Sequence, residues 1–154
     1  MTTKNDMQAM IEKLSYNQVF GCYTRQALDL RWDEFTKNAQ AIIFLDIDNM
    51  HGLNEQYGYA GVDERINKSL AGCRKSDIIT VGQHYSGDEF CIIINNNESE
   101  GCAKRIQQNF NNNGLSVTIA IVTDIKNNLT ETCKPAANKV QSAKKNNQRG
   151  TINL

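Results

Sequence analysis

The sequence predicts an α+β fold built on a β-α-β-β-α-β unit, an antiparallel sheet with helices packed on one face. Two observations lead to this prediction. Short apolar strands alternate with amphipathic helical segments, and two neighbouring strands are separated by a tight turn. This arrangement is ferredoxin-like, and further helices are expected at the N-terminal and C-terminal ends. The length of 154 residues predicts one domain over positions 1–154.

Each expected element follows from a local pattern. Apolar residues three and four positions apart indicate helices, and continuous apolar runs indicate buried strands. In chain order we expect a helix over 7–14, a loop over 19–23, a helix over 25–35, a strand over 39–47, a helix from about 60 to 73, strands over 77–84 and 89–94, a helix over 101–110, a strand over 115–122 and a helix over 135–145. Thr24 is the expected N-cap of the second helix, and Gly21 is available for an unusual backbone angle in the loop.

Composition argues against several classes of function. Lys plus Arg and Asp plus Glu number 17 each, so binding to the backbone of a nucleic-acid polymer is not expected. No apolar run approaches the roughly 18 residues of a membrane span. The polar start is unlike a secretory signal, so a cytoplasmic protein without membrane contact is expected. The five cysteines include no C-x-x-C pair and there are two histidines, so neither disulfides nor a zinc or histidine-rich site is expected.

Two acidic clusters are the candidates for chemistry. Asp46 and Asp48 close the buried strand, on one face because side chains alternate along a strand. Asp88 and Glu89 follow Gly87 in the turn of the predicted hairpin. In a ferredoxin-like sheet the first strand lies beside the hairpin, so we expect Asp46 to approach Asp88. Converging carboxylates repel unless they hold a cation, and such oxygen ligands suit Mg²⁺ bound with substrate phosphates. Taken alone, each cluster is more often turn chemistry.

Five motifs in the expected order resemble the GGDEF family and the related palm domains of CRISPR polymerases. Positions 86–90 read Ser-Gly-Asp-Glu-Phe, similar to the GGDEF signature, and positions 44–50 resemble its Leu-Asp-Ile-Asp-x-Phe segment. Positions 53–63 resemble Ile-Asn-Asp-x-x-Gly-His-x-x-Gly-Asp, positions 21–25 resemble Gly-Leu-x-Asn-Arg, and Ala143 and Lys144 resemble the Ala-Lys of the last helix. The resemblance covers nearly the whole chain, which is identified as a member of this superfamily.

The resemblance implies a catalytic cation site. Asp46 and Asp88 would bind Mg²⁺ or Mn²⁺ together with the main-chain carbonyl of Ile47. Glu89, the second carboxylate of the signature, would act near the attacking hydroxyl or a second metal ion. Cations held in this way activate a 3′-hydroxyl and stabilise the leaving pyrophosphate.

The resemblance also implies a binding site for a nucleoside triphosphate. Its members would be Ser86 and Gly87 at the hairpin, the main chain of Asn49 and Met50 at the phosphates, Asn54 and Asp63 at the base edge, and Lys144 at the triphosphate. Three of them have a structural alternative. Asn54 is a possible helix cap, Asp63 a possible solvated acid of a first helical turn, and Lys144 a possible surface charge.

Several positions depart from the family pattern. His51 stands where the family has a phosphate-binding lysine, and His84 replaces the arginine before the signature. Gln148 falls where an arginine is expected after the last helix. Arg74 and Asp77 spell the R-x-x-D of the family's product-inhibition site but lie further from the signature than usual, so no such site is expected.

The sequence leaves the substrate open. With no sensor domain before the first motif, the chain resembles a minimal CRISPR polymerase, which would condense ATP into a cyclic di-AMP-like signal that a separate effector senses in antiphage defence. The alternative is a diguanylate cyclase using GTP, because Asn54 and Asp63 resemble a guanine reader. Either enzyme would need a homodimer or higher oligomer in which each hydroxyl attacks the other nucleotide's α-phosphate. Two further alternatives are a palm that binds nucleotide without chemistry and a structural subunit of a larger complex.

Overall fold

The structure, a computed structural model, describes residues 3–73, 77–81 and 88–154. The helices are α1 (Lys4–Ser15), α2 (Arg25–Leu30), α3 (Trp32–Thr36), α4 (Met50–Ala71), α5 (Ser99–Asn112) and α6 (Leu129–Lys145). The strands are β1 (Tyr16–Asn17), β2 (Cys22–Tyr23), β3 (Ala41–Ile47), β4 (Ile78–Val81), β5 (Glu89–Ile94), β6 (Val117–Val122) and β7 (Ile152–Asn153). These elements confirm the predicted α+β class.

The strands form one sheet in the order β1-β2-β4-β5-β3-β6-β7. The centre, β4-β5-β3-β6, is antiparallel throughout and has the strand order of a ferredoxin-like unit. The edge strands β1, β2 and β7 were not predicted, because two residues are too short to display a periodicity. Gly21, between β1 and β2, has the positive φ (67°) that the sequence analysis allowed for. Of the strand predicted over 77–84, positions 82–84 lie outside the described residues.

Both faces of the central strand are covered by helices. Every residue of β3 is buried. Ile43, Leu45 and Ile47 share a core cluster with side chains of α4 and α5. Ile42 and Phe44 share a second cluster with side chains of α2, α3 and α6. The prediction of helices on one face therefore describes only the layer of α4 and α5, and the second layer explains why the β3 sequence is continuously apolar.

The bounds of the predicted second helix and of α4 differ from the prediction. Thr24 does cap α2, its hydroxyl accepting a hydrogen bond from the amide of Ala27, but Arg31 leaves helical geometry and separates α2 from α3. Helix α4 starts at Met50 rather than near position 60. It is interrupted at Gly58, where φ is 73° and ψ is 163°, so the prediction located only its second half.

Helix α6 starts six positions earlier than predicted, at Leu129 instead of Pro135. The prediction placed proline at the first helical position, where its missing N–H costs nothing. In the structure Asn128 is the N-cap, with its side-chain oxygen accepting from the amide of Glu131, and proline lies inside the helix. None of the helices in the described ranges combines the length and apolar composition that a bilayer crossing requires.

Candidate functional site

The acidic residues lie at one end of the sheet, across three neighbouring strands. Asp46 on β3 is the direct cross-strand partner of Glu89 on β5 and of Thr118 on β6. Directly opposed residues share a face of a sheet, and here it is the face that α6 covers. Asp46 and Glu89 are both 5% exposed and Thr118 is fully buried. This end of the sheet therefore holds two carboxyl groups in a nearly closed environment.

Asp88 lies beside Asp46, as the sequence predicts. Its main-chain carbonyl accepts a hydrogen bond of 2.7 Å from the amide of Ile47, which joins the residue before β5 to the last residue of β3. The Asp88 carboxylate is near enough to raise the pKa of Asp46. The half-buried Asp88 and the buried Asp46 thus flank the main chain at Ile47.

Burial dominates the electrostatics of Asp46. It raises the pKa of this carboxyl from 3.8 to about 6; the ammonium of Lys144 opposes the rise, while the carboxylates of Asp88 and Asp48 add to it. The cluster of Asp46, Asp48 and Asp88 therefore carries more negative charge than the ammonium of Lys144 balances. A cation of higher charge would stabilise it.

Lys144, in the last turn of α6, reaches into this end of the sheet. Its Nζ lies 3.2 Å from Oδ1 of Asp46, 3.4 Å from Oδ1 of Asp48 and 3.3 Å from the carbonyl oxygen of Ile47. The side chain is 16% exposed. The alternative role as a surface charge is therefore excluded, because the ammonium is an inward-facing ion-pair partner.

Asp48 belongs to the first acidic cluster of the sequence, but its organising role was not predicted. The hydroxyls of Ser116 and Thr118 donate hydrogen bonds of 2.6 Å to its Oδ2 and Oδ1, and its amide donates to the carbonyl of Ser116 at 2.8 Å. The available signal was the pairing of Asp-x-Asp at the end of one strand with Ser-x-Thr at the start of another. These contacts fix Asp48 beside Lys144.

The start of α4 presents main-chain amides near the same end of β3. Asn49 is exposed, adopts the left-handed conformation (φ 54°, ψ 51°), and accepts a hydrogen bond from the amide of Gly52 through its side chain. A Cβ at position 52 would collide with the side-chain amide of Asn49, so the capping conformation of Asn49 requires glycine there. The amides of Met50 and His51 belong to the first turn, whose N–H groups lack partners inside the helix and favour anions.

The two candidate base-reading residues are not brought to the carboxylates. Asn54 and Asp63 are half-buried on α4, on either side of the interruption at Gly58. No hydrogen bond or ion pair joins either of them to Asp46 within the described part of the chain. Asn54 is not the helix cap, since Asn49 takes that position.

His51 and Gln148, which depart from the family pattern, lie among the described residues. His51 is exposed, and its Nε2 lies 3.1 Å from Oε1 of Glu55, one turn along α4. Gln148 is exposed, and its amide donates to the carbonyl of Ala143 beyond the end of α6. Ser86, Gly87 and His84 lie outside the described residues, as does Arg74.

The oxygen atoms at this end of the sheet suit a hard divalent cation. Oδ1 of Asp46 is buried and accepts no hydrogen bond from the described residues, although the Lys144 ammonium lies close to it. The carbonyl of Ile47 adds a second oxygen, and Mg²⁺ commonly takes one or two carboxylates and completes its shell with water and phosphate. In the described ranges no group of three or more His, Cys, Asp or Glu side chains is placed to hold a metal ion.

Comparison with known proteins adds independent information. The family described as "Diguanylate cyclase, GGDEF domain" matches residues 22–150. Diguanylate cyclase A of Treponema denticola is 25% identical over 134 aligned residues, covering 77% of this chain and 36% of the relative. The chain therefore spans about a third of the length of that curated relative.

Solved GGDEF domains share the fold. A microbial GGDEF domain solved with bis-(3′,5′)-cyclic di-GMP has a TM-score of 0.72 at 17% identity, covering 93% of this chain and 97% of the other. The GGDEF domain of DgcB from Caulobacter crescentus, in complex with c-di-GMP, has a TM-score of 0.66 at 17% identity, with coverages of 90% and 92%. The FimX GGDEF domain from Pseudomonas aeruginosa has a TM-score of 0.69 at 13% identity, with coverages of 91% and 99%. With a family match over most of its length and this shared fold, the chain belongs to the GGDEF domain family.

Proposed function

We propose that this chain is a diguanylate cyclase domain that condenses two GTP molecules into c-di-GMP and releases two pyrophosphates. The observation that supports this most directly is the oxygen cage formed by Asp46 and the carbonyl of Ile47, with Asp88 beside it, in a chain of the GGDEF family. We take positions 1–154 as one domain of this kind. The product would act as a signal for a separate effector.

The comparisons favour GTP over ATP. The family description and the curated relative both refer to diguanylate cyclases, and two of the similar structures were solved with c-di-GMP. Asn54 and Asp63 are chemically suited to guanine, because a carboxylate can accept from guanine N–H groups that adenine lacks. None of these comparisons supports the first expectation, a minimal CRISPR polymerase making a cyclic di-AMP-like product, so the diguanylate alternative takes its place.

The proposed roles of the residues follow from their chemistry. GGDEF cyclases are generally Mg²⁺-dependent, and we assign the ion to Asp46, Asp88 and the carbonyl of Ile47, with Mn²⁺ as a substitute. The ion would neutralise phosphate charge and lower the pKa of the attacking hydroxyl. Glu89 would accept or orient the proton of that hydroxyl, and Lys144 would bind phosphate oxygens.

The proposed nucleotide-binding site also includes main-chain groups of α4 and residues of the predicted hairpin. The amides of Asn49 and Met50 would contact phosphates at the start of α4, and Ser86 and Gly87 would lie against the nucleotide. GGDEF domains often dimerise, and cyclisation requires two copies facing each other. Each 3′-hydroxyl oxygen then forms a bond to the other nucleotide's α-phosphorus, the α–β phosphoanhydride bond breaks, and pyrophosphate leaves while the hydroxyl proton is lost.

The test is the identity of the product. The purified chain is incubated with Mg²⁺ and GTP, ATP or both, and products are identified by mass spectrometry with pyrophosphate measured in parallel. We expect c-di-GMP from GTP, loss of product in Asp88→Asn and retention in Asp124→Asn, a control in which an exposed acid is neutralised. A cyclic di-AMP product from ATP would instead support the minimal polymerase.

A nucleotide-binding domain without chemistry is the second candidate. One observation favours it: His51, at the position of a phosphate-binding lysine, is paired with Glu55. Under this alternative, labelled GTP binds in the presence of Mg²⁺ but no pyrophosphate is released.

A further inference from the structure

Lys144 occupies the position where the proposed cation site lies. Its ammonium contacts Oδ1 of Asp46 and the carbonyl oxygen of Ile47, which are two of the three oxygen donors assigned above to the divalent ion. At 3.2 Å and 3.3 Å from these atoms, the ammonium fills the space that a cation bound to both would need. Repulsion between the ammonium and a divalent cation at the same two oxygen atoms therefore disfavours their joint occupancy of the cage.

We propose that the ammonium of Lys144 is a removable substitute for the divalent cation, which holds the oxygen cage together in the metal-free protein and moves to the substrate triphosphate when the cation binds. This proposal rests on the proposed function in one respect, the assignment of Asp46 and Ile47 as cation ligands. Lys144, which is assigned above to phosphate oxygens, would thus have a second position at the oxygen cage and a second role in the metal-free protein.

The contacts of the two aspartates differ in a way that suits such an exchange. Asp48 accepts hydrogen bonds from the hydroxyls of Ser116 and Thr118, so it stays in place when the ammonium leaves. Oδ1 of Asp46, in contrast, has the Lys144 ammonium as its close partner and accepts no other hydrogen bond within the described residues. Departure of Lys144 would therefore leave one buried anionic oxygen of Asp46 that a cation must satisfy.

Asp48 acts in this exchange as a positioning residue. Its Oδ1 lies 3.4 Å from Nζ of Lys144, so the ammonium contacts Asp48 as well as Asp46. The four-carbon stem of lysine is flexible, and its ammonium can rotate between acceptors while one partner is retained. Asp48 can thus keep the charge near the cage after the contact with Asp46 has broken.

The exchange predicts that Lys144 weakens cation binding when no nucleotide is present. A site that is available only part of the time has an apparent affinity reduced by that fraction, so a cage filled by the ammonium nine-tenths of the time binds ~10-fold more weakly. Removing the Lys144 ammonium should restore the intrinsic affinity of the oxygen cage for the cation. The same substitution should weaken nucleotide binding, because the triphosphate loses its lysine.

The test measures cation binding without nucleotide. Unbound Mn²⁺ is quantified by electron paramagnetic resonance in titrations of the wild type, Lys144→Met and Lys145→Met, the last removing an equal charge from the exposed neighbouring position. We expect Lys144→Met to bind Mn²⁺ ~10-fold more tightly than the wild type, and Lys145→Met to resemble the wild type. Equal affinities of all three proteins, or equal tightening by both substitutions, would overturn the proposal.

A second measurement uses the unaltered protein and does not depend on the folding of a variant. Nuclear magnetic resonance of the lysine ammonium groups should show a Lys144 signal protected from solvent exchange in the metal-free protein. Addition of Mg²⁺ alone should shift this signal and remove its protection. An unchanged, protected signal at saturating Mg²⁺ contradicts the exchange.

Failure of this proposal is distinguishable from failure of the proposed function. A wild type that makes c-di-GMP while Lys144→Met binds Mn²⁺ no more tightly refutes the exchange alone. A wild type that releases no pyrophosphate while Lys144→Met binds Mn²⁺ more tightly refutes the cyclase activity and supports the exchange.

Discussion

Asp46 is a carboxyl group buried in the middle of a sheet, between a glutamate and a threonine on the neighbouring strands. Its pKa is raised to about 6, mainly by burial, so the fold holds the charged form at an energetic cost. Titratable groups with strongly shifted pKa values cluster at functional sites, because binding or catalysis compensates for the cost of burying the charge. The sequence placed Asp46 at the end of a buried strand, which is why this residue could be predicted.

We expect Asp46→Asn to raise the stability of the metal-free protein at high pH. The folded pKa of about 6 exceeds the ordinary 3.8, so the folded state holds this proton more tightly than the unfolded chain does. The contribution of Asp46 to stability therefore falls as pH rises through this window, and the penalty is complete above pH 6. Thermal unfolding in EDTA should give the variant the higher Tm at pH 8 and a smaller difference at pH 5. A lower Tm than the wild type at pH 8 would be the opposite result.

We expect Thr118→Val to destabilise the protein more than Ser116→Ala. Both substitutions remove a donor to Asp48, but Thr118 is fully buried and its hydroxyl also accepts from the amide of Gly150. Leaving buried polar groups unsatisfied costs about 1–3 kcal/mol. Urea denaturation at neutral pH measures the free energy of unfolding of each variant. A larger loss for Ser116→Ala would show that the Asp48 contacts are not as buried as described.

Among the elements, α4 links the phosphate end of the proposed site to its base end. Its two halves meet at Gly58, where a positive φ of 73° is one that L-residues with a Cβ avoid. Asn54 lies before this interruption and Asp63 after it, so the angle between the halves determines their relative positions. Sequence periodicity located only the second half, because Gly58 breaks the apolar pattern.

The interruption gives a matched pair of substitutions. Apart from chain neighbours and nearby helix backbone, no atom of the described residues lies within 4 Å of a Cβ added at Gly58 or at Gly101, so packing does not distinguish the two positions. Gly58→Ala should destabilise by about 1–3 kcal/mol, because a φ of 73° with a ψ of 163° lies in a backbone region that is almost restricted to glycine. Gly101→Ala, in the first turn of α5, should stabilise by about 0.5–1 kcal/mol through helix propensity. Chemical denaturation measures both, and stabilisation by Gly58→Ala would contradict the described backbone.

The accuracy of the element predictions depended on how local the determining interactions are. The apolar β3 segment and the cap at Thr24 involve neighbouring residues, and both were predicted. The start of α6 was missed because Pro135 usually marks a first turn, whereas the cap at Asn128 and the burial of Leu129 and Cys133 outweigh it. The break at Arg31 has no local sequence signal.

For the molecule as a whole, the topology brings distant residues into one site. The approach of Asp46 to Asp88 was predictable, because a ferredoxin-like strand order puts β3 beside β5. The hydrogen bond from Lys144 to the carbonyl of Ile47 spans 97 positions, and that from Thr118 to Asp48 spans 70. Such contacts depend on how α6 and β6 pack against the end of β3, which periodicity does not reveal.

In the proposed site, Asp46 and Asp88 jointly hold a divalent cation under a triphosphate. The most direct test is a crystal structure with Mn²⁺ and a GTP analogue that cannot be cleaved between the α- and β-phosphates. Anomalous scattering should place Mn²⁺ about 2.1 Å from oxygens of Asp46, Asp88 and the Ile47 carbonyl, with Lys144 on the phosphates. Bound nucleotide with Mn²⁺ elsewhere, and the ammonium still against Asp46, would contradict this account.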